Sequence, residues 1–187
     1  MQQDINLTPH LREHMKRFPR TIGRYYASEL YDICRGAVDP HDWLNPKSLP
    51  PVVLNAMWNG RVVHEYIQKL LPTEGNEIKI EHTHQLPDGN SFVIVGKVDH
   101  IPQTNTEEIW EFKTSTKEMP RPKPAHKHQA KLYCTMANRS RGVVFQPVQH
   151  SSGLYLKFIE SVDRDDAWFN EQMNLVAVFH KKIYEYT

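Results

Sequence analysis

The stretch "GKVDHIPQTNTEEIWEFKTSTK" (residues 96–117) decides how this chain is read. Asp99 closes one apolar run, and Glu111 and Lys113 sit two residues apart on the next. Residues two apart in a strand share a face, so Glu111 and Lys113 project together while Trp110 and Phe112 point away. If the runs 91–101 and 107–114 pair as a hairpin, Asp99 reaches the same end. One explanation is a surface ion pair, which stabilises little. The other is a metal site with a catalytic lysine. Two close carboxylates in a partly dry site repel each other, and a divalent cation removes that conflict. All-oxygen ligation favours Mg²⁺ or Mn²⁺. The triplet alone does not decide, because "EIK" at 77–79 repeats it without an upstream aspartate.

Working outward, "EIKIEHTHQL" alternates as a strand, "PDGN" makes a turn, and "SFVIVGKVDHI" is a near-continuous apolar strand. Downstream, 117–124 is a basic, proline-broken loop and "AHKHQAKLYCTMANR" a helix. "GVVFQPV" and "GLYLKFIE" are strands, and a final helix starts near Asp163 with Trp168, Phe169, Met173, Val176 and Phe179 on its apolar face. Upstream, "VVLNAMWNGRVVHEYIQKLL" is a helix running to Pro72, with Leu54, Met57, Val62, Tyr66 and Leu70 near helical spacing. "DPHDWLNPKSLPP" (39–51) reads as a surface loop. Shorter helices are expected from Thr8–Pro9, and from Ser28 to a stop at Gly36. The order predicts an α/β fold with a central mixed sheet flanked by helices. A single domain covers 1–187: an N-terminal helical and loop part (1–52), then the core and C-terminal helix (53–187).

Composition excludes several classes. With 187 residues, 39% hydrophobic and 24% charged, the chain can bury a core and is neither disordered nor fibrous. No apolar run is long enough to cross a bilayer and no signal-peptide core opens the chain, so no membrane partner and an intracellular location are expected. The net charge of +1 announces no global basic field. His82 and His84, and His126 and His128, lack zinc-motif spacing and read as incidental. There is no glycine-rich phosphate loop, so any helicase or recombination partner is a separate chain.

Several spaced elements join the opening stretch. "G-x-x-x-H" (60–64), Glu81, "GKVD" (96–99), "EFK" (111–113) and "Q-x-x-x-Y" (129–133) stand in the motif order of PD-(D/E)XK nucleases. The chain resembles their RecB-type exonuclease branch, over roughly residues 55–135. The resemblance implies a restriction-endonuclease-like core in which His64, Asp99, Glu111 and the Phe112 carbonyl ligate Mg²⁺ or Mn²⁺, with Glu81 beside them. It implies that Lys113 positions or activates the attacking water, and that Gln129 and Tyr133 orient Lys113 and the scissile phosphate. CRISPR-associated members of that branch carry an iron–sulfur cluster on four cysteines. Only Cys34 and Cys134 are present here, so no cluster is expected.

The basic loop supplies Arg121 and Lys123, and Lys127 and Lys131 continue the charge onto the next helix, where a DNA backbone is expected to pass. Tyr25, Tyr26 and Trp43 are read as core residues first and base-stacking residues second. The sequence thus predicts a metal-dependent deoxyribonuclease, an exonuclease on single-stranded or frayed DNA ends. The alternatives are a structure-specific or restriction-type endonuclease, or a non-catalytic DNA-binding module on the same fold. Small size and the missing cluster motif fit a virus- or phage-encoded relative.

Overall fold

The apolar run ahead of Asp99 forms strand β3 (Ser91–His100), with Phe92, Ile94 and Val98 fully buried. The computed structural model describes residues 20–186 apart from Thr116 and Ser152. The helix expected at Thr8 lies outside the described residues. Strand β2 (Asn76–Gln85) runs antiparallel to β3 along its whole length, from Asn76 opposite His100 to Gln85 opposite Ser91. The turn between them closes with Leu86 N donating to Asn90 O at 2.8 Å.

With one edge of β3 taken by β2, two other strands share the opposite edge. Strand β1 (Arg24–Tyr26) lies parallel to Val93–Val95. Strand β4 (Glu108–Phe112) meets β3 antiparallel at His100–Trp110. Residues 96–99 fall between these two contacts and have no strand partner on that edge among the described residues. Beyond β4, β5 (Arg141–His150) pairs parallel and β6 (Gly153–Asp163) antiparallel, with a bulge between Val144 and Phe145. The result is the expected mixed sheet, with six strands rather than five. Strand β1 escapes sequence reading because three residues are too few to show alternation.

Helices α1 (Leu30–Cys34), α2 (Pro40–Leu44), α3 (Pro51–Leu70), α4 (Pro124–Met136) and α5 (Asp166–Tyr184) flank the sheet. Within the segment expected to be a surface loop, α2 forms because Asp39 caps it. Its side chain accepts from His41 N (2.9 Å) and Asp42 N (3.2 Å), with Pro40 at the first position. The helix carries Trp43 into the core against Tyr25, ring centroids 5.2 Å apart. Asp165 caps α5 by accepting from Trp168 N at 2.9 Å. Phe169, Met173, Val176 and Phe179 of α5 then pack on Tyr25, Leu30, Ile33, Phe92 and Ile94. Burial therefore settles Tyr25 and Trp43 as core residues and leaves Tyr26 half exposed. Helix α3 departs from its expected face. Leu54 and Ile67 are buried, while Met57, Val62, Tyr66 and Leu70 are exposed. Both Met57 and His64 turn instead toward the cavity described below.

Helix α4 reaches β3 through one tight contact. A Cβ on Gly96 would lie 2.3 Å from Tyr133 Cε1, so only glycine lets the tyrosine ring rest on the strand. Gly96→Ala must push the ring away, and overpacking of this kind costs roughly 1–3 kcal/mol. We expect a lower denaturation midpoint for Gly96→Ala in chemical unfolding. A wild-type midpoint would show that the contact is not a constraint.

Candidate active site

The unpaired stretch of β3 is where polar side chains take over from the ladder. Lys97 N, which has no strand acceptor, donates to the Tyr133 hydroxyl at 3.2 Å. Asp99 Oδ2 accepts from Phe112 N at 2.8 Å, so a carboxylate stands where a backbone carbonyl would close the β3–β4 ladder. Asp99 Oδ1 lies 3.3 Å from His64 Nδ1, delivered by α3. Gly60, one turn earlier on α3, lies against Thr114 just past β4, where a Cβ would come within 3.0 Å of its Oγ1. The "G-x-x-x-H" spacing thus brings the helix in close and places the imidazole over the strand end.

From β4 comes the acid–amine pair. Lys113 Nζ donates to Glu111 Oε2 at 2.7 Å and to Gln129 Oε1 at 3.0 Å. Gln129 Nε2 in turn donates to the Tyr133 hydroxyl at 3.0 Å. Gln129 and Tyr133 sit one helical turn apart on α4, which is why both face β3 and β4. Tyr133 is 2% exposed and acts behind Gln129, on the amide and on the β3 backbone. One chain of hydrogen bonds therefore runs from Glu111 through Lys113, Gln129 and Tyr133 to Lys97 N.

The electrostatics follow from burial. Glu111 is 1% exposed, and burial pushes its carboxyl up to about 7 against the pull of Lys113, with Asp99 adding to the rise. For Lys113, burial acts downward but Glu111 and Asp99 outweigh it and hold the amine protonated. Glu111 Oε1 is buried with no hydrogen-bond partner. An orphaned carboxylate oxygen among further carboxylates suits a hard divalent cation, and the donor set is the oxygen-rich kind that takes Mg²⁺ or Mn²⁺. Among the described residues, no three acidic, histidine or cysteine side chains yet converge on one point. Two of the acids are paired to lysines instead: Glu111 with Lys113, and Glu77 with Lys97 at 2.6 Å.

Apart from Tyr133, which lies behind Gln129, these groups line one cavity of about 810 Å³ together with Ser28, Arg61, Glu65, Glu77 and His126. Glu81 does not line it. Its carboxylate pairs with Arg24 at 2.6 Å and stands half exposed on a neighbouring cavity of about 370 Å³. The two cavities share Ser28, Lys97 and Gln129, and the second adds Tyr26 and Lys79. The acid that β2 sends into the larger cavity is Glu77, from the triplet that sequence context discounts. His126, incidental by its spacing in the sequence, lines the larger cavity too. It lies one turn before Gln129, and burial, then Lys113 and Lys123, bring its ring down to about 4, so it is neutral at physiological pH.

The expected DNA contacts divide differently. Lys127 and Lys131 flank Gln129 at two residues' distance, about 200° around the helix, so they face away from Lys113. With Arg121 they line a separate cavity of about 1020 Å³. There Lys127 pairs with Glu160, and Lys131 pairs with Asp165 at 3.0 Å and lies over Trp168. Lys123 is the N-cap residue of α4. Cys34 Sγ lies 3.7 Å from the Gln172 carbonyl, and burial raises both Cys34 and Cys134 to about 12.

Proton linkage gives a stability test of the buried pair. The folded chain holds a proton on Glu111 up to about pH 7, while the unfolded chain releases it near the ordinary carboxyl value. Glu111 alone therefore makes stability fall as pH rises through that window. Lys113→Met removes the compensating charge, so its loss of stability should be greater at pH 8 than at pH 5, reaching about 3–5 kcal/mol at pH 8. The double variant Glu111→Gln/Lys113→Met should recover most of it. Thermal melts at both pH values check this, and a pH-independent loss in Lys113→Met would contradict it.

No protein-family model matches the chain, and no curated protein matches it by sequence. Solved structures do. The protein designated SSO0001 superposes with a TM-score of 0.64 at 17% identity, covering 92% of this chain and 83% of its own. LHK-Exo, an alkaline exonuclease from Laribacter hongkongensis solved in complex with dAMP, gives 0.52 at 15% identity, covering 88% and 89%. A phage-related exonuclease from Haemophilus somnus 129PT gives 0.54 at 12% identity, covering 88% and 96%. The chain shares its α/β fold, a mixed sheet flanked by helices, with these structures.

Proposed function

We propose that this chain is a divalent-metal-dependent DNA nuclease, acting as an exonuclease on single-stranded or frayed ends. One observation carries the reading. The strand gap on β3 gathers Asp99, Glu111, Lys113 and His64 into one cleft, with the lysine fixed from behind by Gln129 and Tyr133. A surface ion pair needs none of this: Glu111 is fully buried, and its lysine is also held by Gln129. Two of the similar structures belong to proteins named as exonucleases, one of them holding a deoxynucleotide.

His64, Asp99, Glu111 and the Phe112 carbonyl would hold Mg²⁺ or Mn²⁺. When bound, such a cation supplies charge neutralisation at the phosphate and a more acidic attacking water. The chain's own part is positional. Lys113, protonated, donates to the charge that develops on the phosphate as water attacks and the P–O bond to the leaving oxygen breaks. Gln129 keeps the amine aimed, and Tyr133 keeps the amide from turning. The strand approaches along the cavities that share Lys97, where Arg24, Lys79 and Arg61 offer phosphate contacts and Tyr26 an exposed ring.

Three preparations decide the assignment: wild type, Glu111→Ala and Lys113→Ala, each assayed with Mg²⁺ or Mn²⁺ on linear single strands and closed circles. Both variants should lose about 100-fold or more. A fourth preparation, Tyr133→Phe, should lose about 10-fold, as partners behind a site group usually do. Circles should survive. Equal activity in all three preparations would remove the site from the chemistry, and efficient cutting of circles would favour the endonuclease.

A further inference from the structure

Glu77 has a backbone that its surroundings do not require of a glutamate. Its φ is +53°, in the left-handed region that disfavours side chains with a Cβ. Among the described residues the only other non-glycine there is Asn138, which follows the end of α4 and is a common choice at such a place. The flanks of Glu77 are tied down. Asn76 Nδ2 donates to Gln68 O at 2.9 Å, and Asn76 Oδ1 lies 2.6 Å from His100 Nδ1. Ile101 N donates to Gly75 O at 2.8 Å. With Asn76 opposite His100 and Ile78 opposite Val98, Glu77 stands across from Asp99. Its carboxylate lines the active-site cavity, and Asp99 acts on it electrostatically.

The plain explanation is an irregular strand start with an ion pair to Lys97. That pair is about half exposed on both sides, and exposed pairs stabilise little. It does not account for a glutamate held in a strained backbone where glycine or asparagine would do. Backbone strain of this kind concentrates at functional positions. Lys97, for its part, is the one cation common to both cavities of the cleft.

We propose that Glu77 is a further acidic group of the cation site, exchanged between Lys97 and the cation, so that cation loading frees Lys97 for a DNA phosphate. This rests on the nuclease reading and adds an order to it: the cation is taken first, and the strand is gripped after. The exchange makes and breaks only ion pairs, with no proton left over. It predicts opposite effects for the two partners. Removing Glu77 weakens cation binding. Removing Lys97 strengthens it, and does so through Glu77.

The probe is Mn²⁺ alone, titrated by electron paramagnetic resonance into wild type, Glu77→Gln, Glu77→Gly, Lys97→Met and the double variant Glu77→Gln/Lys97→Met. Both glutamate variants should bind Mn²⁺ about 10-fold more weakly. Glu77→Gly should melt no lower than wild type, since it relieves the backbone. Lys97→Met should bind Mn²⁺ several-fold more tightly, and that gain should vanish in the double variant. Wild-type Mn²⁺ affinity in either glutamate variant overturns the proposal. So does unchanged or weaker binding in Lys97→Met, or an undiminished gain in the double variant. If wild type itself takes up no Mn²⁺, the cation site falls, and with it both this inference and the nuclease reading. If wild type cleaves DNA but the glutamate variants bind normally, only the role of Glu77 is lost.

Discussion

Everything at the candidate site depends on an edge of β3 that two strands share without meeting. Strand β1 ends its pairing at Val95 and β4 begins at His100, which leaves residues 96–99 with backbone groups that need partners from elsewhere. Buried amides must be satisfied, so the gap recruits side chains. Tyr133 takes the Lys97 amide and Asp99 takes the Phe112 amide. The proposed function gives these same groups their part in phosphodiester cleavage. A continuous ladder would close the cleft and remove the reason for Gln129, Tyr133 and Gly96 to be where they are.

The second constraint is electrostatic. Burying Glu111 beside Asp99 is unfavourable, and Lys113, which Gln129 also holds, offsets part of that cost. Lysine therefore has two relations to the acids. It neutralises them in the fold, and on the proposed reading it would donate to a phosphate. Lys97 and Glu77 repeat the arrangement nearer the surface. Two lysine–carboxylate pairs face one cavity, and the proposal assigns their acids to a dication and their amines to a polyanion.

Much of this was legible in the sequence because periodicity and spacing carry it. The alternation in β2, the apolar run of β3 and the amphipathic α5 fall within a few residues of expectation, and Asp99, Glu111, Lys113, Gln129, Tyr133 and His64 do come together. What escaped depends on quantities that spacing does not encode. Glu77 and Glu81 share one face of β2, but the register sets Glu77 across from Asp99 and Glu81 across from Val95, so Glu77 lines the cavity while Glu81 pairs with Arg24. Lys127 and Lys131 are close to Gln129 in number and opposite to it in helical phase. The apolar row on α3 looks like a core stripe, yet of its members only Leu54 is buried, joined by Ile67 from outside the row. Strand β1 is shorter than any pattern that could announce it.

The most direct test of the account is crystallographic. Crystals soaked with Mn²⁺ and a short thymidine oligonucleotide would be measured for anomalous scattering at the manganese edge. The account predicts a peak bounded by Asp99, Glu111 and His64, with a phosphate oxygen beside Lys113. An empty cleft with manganese bound elsewhere, or Lys113 still closed on Glu111 with DNA bound away from the gap, would contradict it.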